Sequence, residues 1–349
     1  MGYNLYPTIN TYICIYYQEH KLSTYNTTIK VTVQLKHYNM IKRTLCFTNP
    51  AYLSLKNEQL VIKLPEVETN ASLPESFKAE ATRTIPIEDI GIVVLDNSRI
   101  TITHGVLEAL LENNCAVVTC DGSHLPVGML LPLCANSVQT ERMRYQIDAS
   151  QPLKKQLWQQ TIVAKIQNQA AVLNAVRGCE VRNMLKWAAE VKSGDSDNLE
   201  ARAAVYYWQN AFPSIPNFVR DRDGDAPNNL LNYGYAILRA IVARALAGSG
   251  LLPTLGIHHR NKYNAYCLAD DVMEPYRPYV DRLVMEIFDK YPDSTELTKE
   301  LKAELLRIPV LDVVINGKRS PLMVAVSTTT SSLQKCYSGE IRKIAYPTM

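Results

Sequence analysis

Apolar and polar residues follow two different periods along this chain. Up to about residue 132 the apolar positions come in short runs. Tyr52-Leu53-Ser54-Leu55 and Leu60-Val61-Ile62-Lys63-Leu64 read as strands on either side of a polar four-residue loop, Lys56-Asn57-Glu58-Gln59, which predicts a hairpin. Ile41 to Phe47 carries ordinary strand signals, and Ile90 to Leu95 and Ala116 to Thr119 are consistent with further buried strands. A short helix fits Gly105 to Glu112, and Met129-Leu130-Leu131 closes the region.

Beyond that point the period becomes helical. Between Glu141 and Val176 the apolar residues Ile147, Leu153, Leu157, Val163, Ile166, Ala170 and Leu173 are spaced for one face of a helix. Helices are also predicted over Met184 to Val191, Leu199 to Phe212, Leu230 to Gly250 and Tyr279 to Tyr291. Val313-Val314-Ile315-Asn316-Gly317-Lys318 is a hairpin with an Asn-Gly turn. Strands first and helices after predict an α+β protein: a small amino-terminal β-sheet domain over 40–132, then a larger helical domain over 133–349 with a hairpin and tail near its end. The first 39 residues stand apart, since they hold seven of the twenty tyrosines and show no clean period. Met40 is therefore the expected native start and residues 1–39 a dispensable extra segment. An added strand or arm is the other reading, which the alternation from Ile29 to Leu35 permits.

Composition narrows the classes. At 349 residues two cores are expected, and 47% hydrophobic with 20% charged residues is ordinary for a folded protein. The eight cysteines include no CxxC pair, which argues against a zinc cage or a disulfide framework. The longest apolar stretch, Tyr233 to Leu252, contains Arg239 and Arg244 and reads as a buried core helix rather than a membrane span. No secretory n-region opens the chain, so the cytoplasm is the expected compartment. A net charge of +3 is too small to signal nucleic-acid binding by itself.

Three segments concentrate chemistry. Asp197-Asn198-Leu199-Glu200 opens a helix, where Asp197 and Glu200 could simply form a capping box. Gly256-Ile257-His258-His259 follows a helix stop, and paired loop histidines are usually surface residues. Asp270-Asp271-Val272-Met273-Glu274-Pro275-Tyr276-Arg277-Pro278 packs three carboxylates among apolar residues, with Asp270 and Glu274 on one face if helical. Together the carboxylates and a histidine form a donor set suited to Mg²⁺ or Mn²⁺.

These segments, with Asn49-Pro50-Ala51-Tyr52-Leu53-Ser54-Leu55, Asn198-Leu199-Glu200-Ala201-Arg202, Asn228-Asn229-Leu230-Leu231-Asn232-Tyr233-Gly234-Tyr235 and Asn264-Ala265-Tyr266, carry a resemblance. From Met40 onward the chain resembles the CRISPR-associated integrase of spacer acquisition, in its type II form. The resemblance implies a DNA endonuclease and integrase, dependent on Mg²⁺ or Mn²⁺, that joins a DNA 3′-hydroxyl to the edge of a CRISPR repeat. It implies Glu200, His259 and Glu274 as metal ligands, with Asp271, Arg277 and His258 in supporting places and His258 the alternative ligand. It also implies a homodimer joined through the amino-terminal sheet, and a heterohexamer with a small adaptation partner on DNA. Arg202, Arg239, Arg244, Arg260, Lys262 and Arg277 are candidate phosphate contacts. The competing expectations are a nuclease of branched or single-stranded DNA without integration, and a non-catalytic DNA-binding scaffold.

Overall fold

The structure, a computed structural model, describes residues 12–14, 42–122, 124–221, 223–292 and 296–349. It divides into two compact units, Met1–Pro132 and Leu133–Met349. The expected extra segment 1–39 lies outside the described residues apart from Tyr12–Cys14, which form strand β1. Ile29 to Leu35 and the proposed start at Met40 are likewise outside them.

After β1 the first unit contains β2 (Arg43–Phe47), β3 (Tyr52–Lys56), β4 (Gln59–Lys63), α1 (Pro65–Glu68), α2 (Glu75–Ala81), β5 (Arg83–Pro86), β6 (Ile90–Leu95), β7 (Thr101–Ile102), α3 (His104–Glu112), β8 (Ala116–Cys120) and β9 (Pro126–Leu130). These make two sheets rather than one, in the orders β1-β2-β6-β8-β9 and β5-β4-β3-β7. The first sheet is parallel except where β9 turns back on β8. Its central strand β6 reads Ile-Gly-Ile-Val-Val-Leu without alternation, the pattern of a parallel strand covered on both faces. Leu45, Phe47, Leu53, Leu60, Val93, Leu110 and Val117 fill the core of this unit.

The β3–β4 turn is tighter than the sequence predicts. Lys56 pairs with Gln59, so the loop is two residues, Asn57 and Glu58, and not four. Both adopt positive φ, 51° and 58°, which matches the twist of a type I′ turn. Glutamate rarely takes that conformation, so the signal was weak. The Asn316-Gly317 turn, with its ordinary type I′ residues, forms where expected.

The second unit is mostly helical: α4 (Gln139–Ile147), α5 (Gln151–Arg177), α6 (Arg182–Glu190), α7 (Leu199–Ala211), α8 (Asn228–Gly248), α9 (Cys267–Met273), α10 (Arg277–Lys290), α11 (Lys299–Leu305), the hairpin β10 (Asp312–Ile315) and β11 (Lys318–Pro321), and α12 (Leu322–Tyr337). The molecule is thus an α+β protein with an amino-terminal β-sheet region and a mostly helical carboxy-terminal region. Two departures have clear causes. The predicted run Glu141 to Val176 breaks into α4 and α5, because Ser150 caps a new helix through Leu153 N and Pro152 fits only its first turn. The helix α12 is rich in Ser and Thr, which are weak helix formers, and was read as tail. It is stabilised from outside: Thr330 Oγ1 donates to Ala245 O of α8 at 3.2 Å and Thr329 Oγ1 to Ala345 O at 2.6 Å. The helix α8 has the length and apolarity of a membrane span, yet 78% of that window is buried inside the protein.

Candidate active site

The site is assembled in the second unit from the start of α7, the middle of α5, the loop after α8, and the junction of α9 with α10. At the start of α7 the capping box is absent. Asp195, not Asp197, caps the helix, accepting from Leu199 N at 2.9 Å and Glu200 N at 3.0 Å, while Asp197 pairs with Lys192. Asn198 in the left-handed region, φ 52°, makes the turn that brings Asp195 over those amides. The Glu200 side chain is therefore released from any capping duty.

At the α9–α10 junction, Glu274-Pro275-Tyr276 form one 3₁₀ turn that lets the chain pass two prolines, Pro278 then falling in the first turn of α10. The turn is anchored from behind. The buried Asn168 of α5 donates to Pro275 O at 2.8 Å and to Pro347 O at 3.1 Å, and Tyr276 OH shares a hydrogen bond with Thr329 Oγ1 at 2.6 Å. This fixes Glu274, itself only 4% exposed, toward α5.

What meets Glu274 there is a residue the sequence analysis missed. The Lys165 ammonium lies 2.6 Å from Glu200 Oε1 and 2.6 Å from Glu274 Oε2, so the two carboxylates share one cation and stand no more than twice that distance apart. Burial opposes the charge on Lys165, but Glu274 and Glu200 hold its ammonium above the ordinary lysine value. Burial likewise opposes the charge on Glu274, yet Arg277 and Lys165 hold its carboxyl below the ordinary range. Arg277 reaches Glu274 Oε1 at 3.1 Å while its guanidinium lies 4.8 Å from the Tyr235 ring centroid. The one sequence signal for Lys165 was its position among Ile162 and Ile166 on the buried face of α5, where a lysine is costly without partners.

The two histidines part ways. His258 stacks flat on Trp158 of α5, ring centroids 4.3 Å apart and planes 6° off parallel. His259 instead directs Nδ1 at the Asp271 carboxylate, in a close contact that leaves Nε2 as its outward nitrogen. The hydrogen bond to Asp271 raises the His259 imidazole above the ordinary histidine range, burial opposes this, and Glu274 and Glu200 add to it. Asp271 is fully buried in α9 and also accepts from the backbone N–H of His258 at 2.8 Å. It thus orients the whole loop. Among the described residues no three His, Cys, Asp or Glu side chains stand together at ligand distances. Glu200 and Glu274 do meet; His259 faces the same charges but is held by Asp271.

Of the other candidate phosphate contacts, Arg239 pairs with Asp270 at 2.6 Å, Arg260 with Gln151, and Arg202 and Lys262 lie over Trp187 and Tyr263. Arg244 is buried inside α8, a core position rather than a phosphate contact.

Gly256 leaves room for this loop. A Cβ there would collide with His259 O and stand 2.9 Å from Asp271 Oδ2. Gly256→Ala is expected to cost about 1–3 kcal/mol of stability and to move His259 off Asp271. Thermal melts and an NMR titration of His259 check it; parental values in both would refute the packing argument.

Against this geometry the similarities fall into place. The family model "CRISPR associated protein Cas1" matches residues 45–306. A CRISPR-associated endonuclease Cas1 of Neisseria meningitidis serogroup C (strain 8013) is 36% identical over 296 residues, covering 84% of this chain and 92% of that one. In fold, the chain resembles a casposase bound to an integration product, with TM-score 0.70 and 19% identity over 87% of this chain and 92% of that one. It also resembles part of a Cas6-RT-Cas1–Cas2 complex, with TM-score 0.67 and 20% identity over 88% of this chain and 36% of that one. Because the family model spans most of the chain and the Neisseria relative matches it along nearly its whole length, this chain belongs to the CRISPR associated protein Cas1 family.

Proposed function

We propose that the chain is a DNA endonuclease and integrase, dependent on Mg²⁺ or Mn²⁺, that inserts new spacers into a CRISPR array by transesterification from a DNA 3′-hydroxyl. Family membership supports the general activity. The observation that carries the site is the single cation shared by Glu200 and Glu274, with His259 alongside.

The donor set suits a hard divalent ion. Glu274 Oε2 is buried, and what it faces is a cation, the Lys165 ammonium at 2.6 Å. Glu200, Glu274 and His259 Nε2 would hold the ion, and Asp271 on Nδ1 fixes the ring and its tautomer, the support that metal-bound histidines commonly have. A bound Mg²⁺ or Mn²⁺ would polarise the phosphodiester and favour ionisation of the attacking hydroxyl. Arg277 steadies Glu274, so the carboxylate keeps its charge and direction in a buried setting. Stacking on Trp158 gives His258 a packing role beside the ligand. Phosphodiester exchange conserves the number of such bonds, so positioning and charge neutralisation suffice and no nucleotide is consumed.

Two fold neighbours bear on partners: one was solved on an integration product and the other within a complex containing Cas2. We infer DNA, a second copy of this chain and a small partner subunit as the working assembly, a heterohexamer in the cytoplasm.

The decisive assay mixes the protein and its small partner with a short duplex bearing free 3′-hydroxyls, a plasmid carrying the repeat, and Mg²⁺ or Mn²⁺. Half-site products are expected. His259→Ala should remove them, whereas His258→Ala should retain most of them. Cleavage without joined products would favour the plain nuclease, and the reverse order of the two histidine variants would move the ligand to His258.

A further inference from the structure

The position that a divalent ion would need is taken by Lys165. Its ammonium is placed 2.6 Å from an oxygen of each glutamate, and the residue is buried in α5, where its neighbours Ile162 and Ile166 are fully buried too. An ammonium and a divalent ion on the same two oxygens would repel each other strongly, because like charges at contact distance in a largely buried site are poorly screened. If the ion enters, Lys165 must move, and a displaced cation in a largely buried position needs another anion.

Among the described residues, the acids around the site are already engaged. The Asp271 carboxylate is engaged by His259 Nδ1 and by the N–H of His258. Asp270 is held by Arg239 and Asn264, and Asp195 by the amides of Leu199 and Glu200. The other charged side chains here, Arg277 on Glu274 Oε1 and the His259 imidazole on Asp271, supply no negative charge. The anion has to come from outside, and at this site the incoming anion is a DNA phosphate. We propose that Lys165 is the resident counter-ion of the Glu200–Glu274 pair, displaced by the entering divalent ion onto a DNA phosphate, so that metal and DNA bind with positive coupling through this one side chain. The inference rests on the reading that Glu200 and Glu274 hold the metal.

Mn²⁺ binding to the full-length protein tests this without any turnover, by calorimetry or electron paramagnetic resonance. The measurement is made with and without a duplex whose 3′ ends lack hydroxyls. For the parent, DNA is expected to tighten Mn²⁺ by roughly tenfold or more, within the usual range of linked binding, and Mn²⁺ to tighten DNA by the same factor. Lys165→Met should bind Mn²⁺ tightly without DNA and lose the coupling to under about twofold. It should also melt lower than the parent without metal and gain more on adding Mn²⁺, since the two carboxylates then face each other without the cation they share. Lys165→Arg, which keeps the charge, should behave as the parent does, and Lys165→Gln serves where the methionine variant does not fold. Glu200-dependent Mn²⁺ binding that is unchanged by removing the lysine's charge would overturn the counter-ion proposal while leaving the metal reading intact. No Mn²⁺ binding by the parent or by the charge-neutral lysine variant, with or without DNA, would overturn both.

Discussion

Glu274→Gln is expected to lower strand transfer on the order of a thousandfold while leaving duplex binding nearly unchanged. The size follows from what one preorganised group aimed at a charged transition state is usually worth. The preserved DNA affinity follows from its source in lysine and arginine contacts to phosphate rather than in the acids of the site. The substitution keeps the shape of the side chain and an acceptor for Arg277, but removes the charge that both Lys165 and Arg277 face. Breaking one side of a buried ion cluster generally costs about 3–5 kcal/mol, so the variant should also melt at a lower temperature. Rates of half-site formation, fluorescence anisotropy on duplex DNA and thermal melts together separate the two effects. Activity within about tenfold of the parent, in a protein that remains folded, would remove Glu274 from the proposed ligand set.

The second large effect concerns stability and pH. Asp281 of α10 is buried with Tyr235 OH at 2.5 Å and Tyr207 OH at 3.0 Å on its two oxygens. Burial pushes its carboxyl up from 3.8 to about 7, while the two tyrosine hydroxyls and then Arg277 and Arg220 act against that. A carboxyl raised on folding keeps its proton between about pH 4 and 7 when the unfolded chain has lost it. The unfolded state then binds fewer protons, so stability falls as pH rises through that window; the contribution is full below the unfolded pKa and gone above the folded one. At about 1.4 kcal/mol per unit, a shift of this size is worth at most about 4 kcal/mol. Asp281→Asn should be close to the parent at pH 4–5 and the more stable of the two at pH 8, because an amide can still serve both tyrosines and never ionises. Urea unfolding at several pH values measures the difference between the two proteins, in which other titrating groups cancel. A difference that does not change between pH 5 and 8 would rule out the raised carboxyl. Tyr235 also packs its ring against Arg277, so this buried acid lies directly behind the proposed site.

Much of the molecule was legible in the sequence, for identifiable reasons. Ile90–Leu95 and the Asn316-Gly317 hairpin formed where the pattern put them, since a run of apolar β-formers and a two-residue turn are decided by neighbours a few positions apart. The start of α7 was also legible, although not its cap: Asp195 and Asp197 look equivalent until a left-handed Asn198 selects one of them. The helix α12 was hidden because the hydroxyls of Thr330 and Thr329 are satisfied by α8 and by the tail, partners that local propensity does not count.

Sequence by itself determined that a strand-rich region precedes a helical one, the family, and which acids and histidines were worth watching, because periodicity and motif spacing are properties of short stretches of chain. Only the tertiary structure decided how those residues meet. It put Lys165 of α5 between Glu200 and Glu274, gave Asp271 to His259 and Trp158 to His258, and buried Asp281 under two tyrosines. Such pairings are made where separate helices pack, between side chains far apart in the chain, and a helix built for packing carries the same local pattern whichever partner lies across from it.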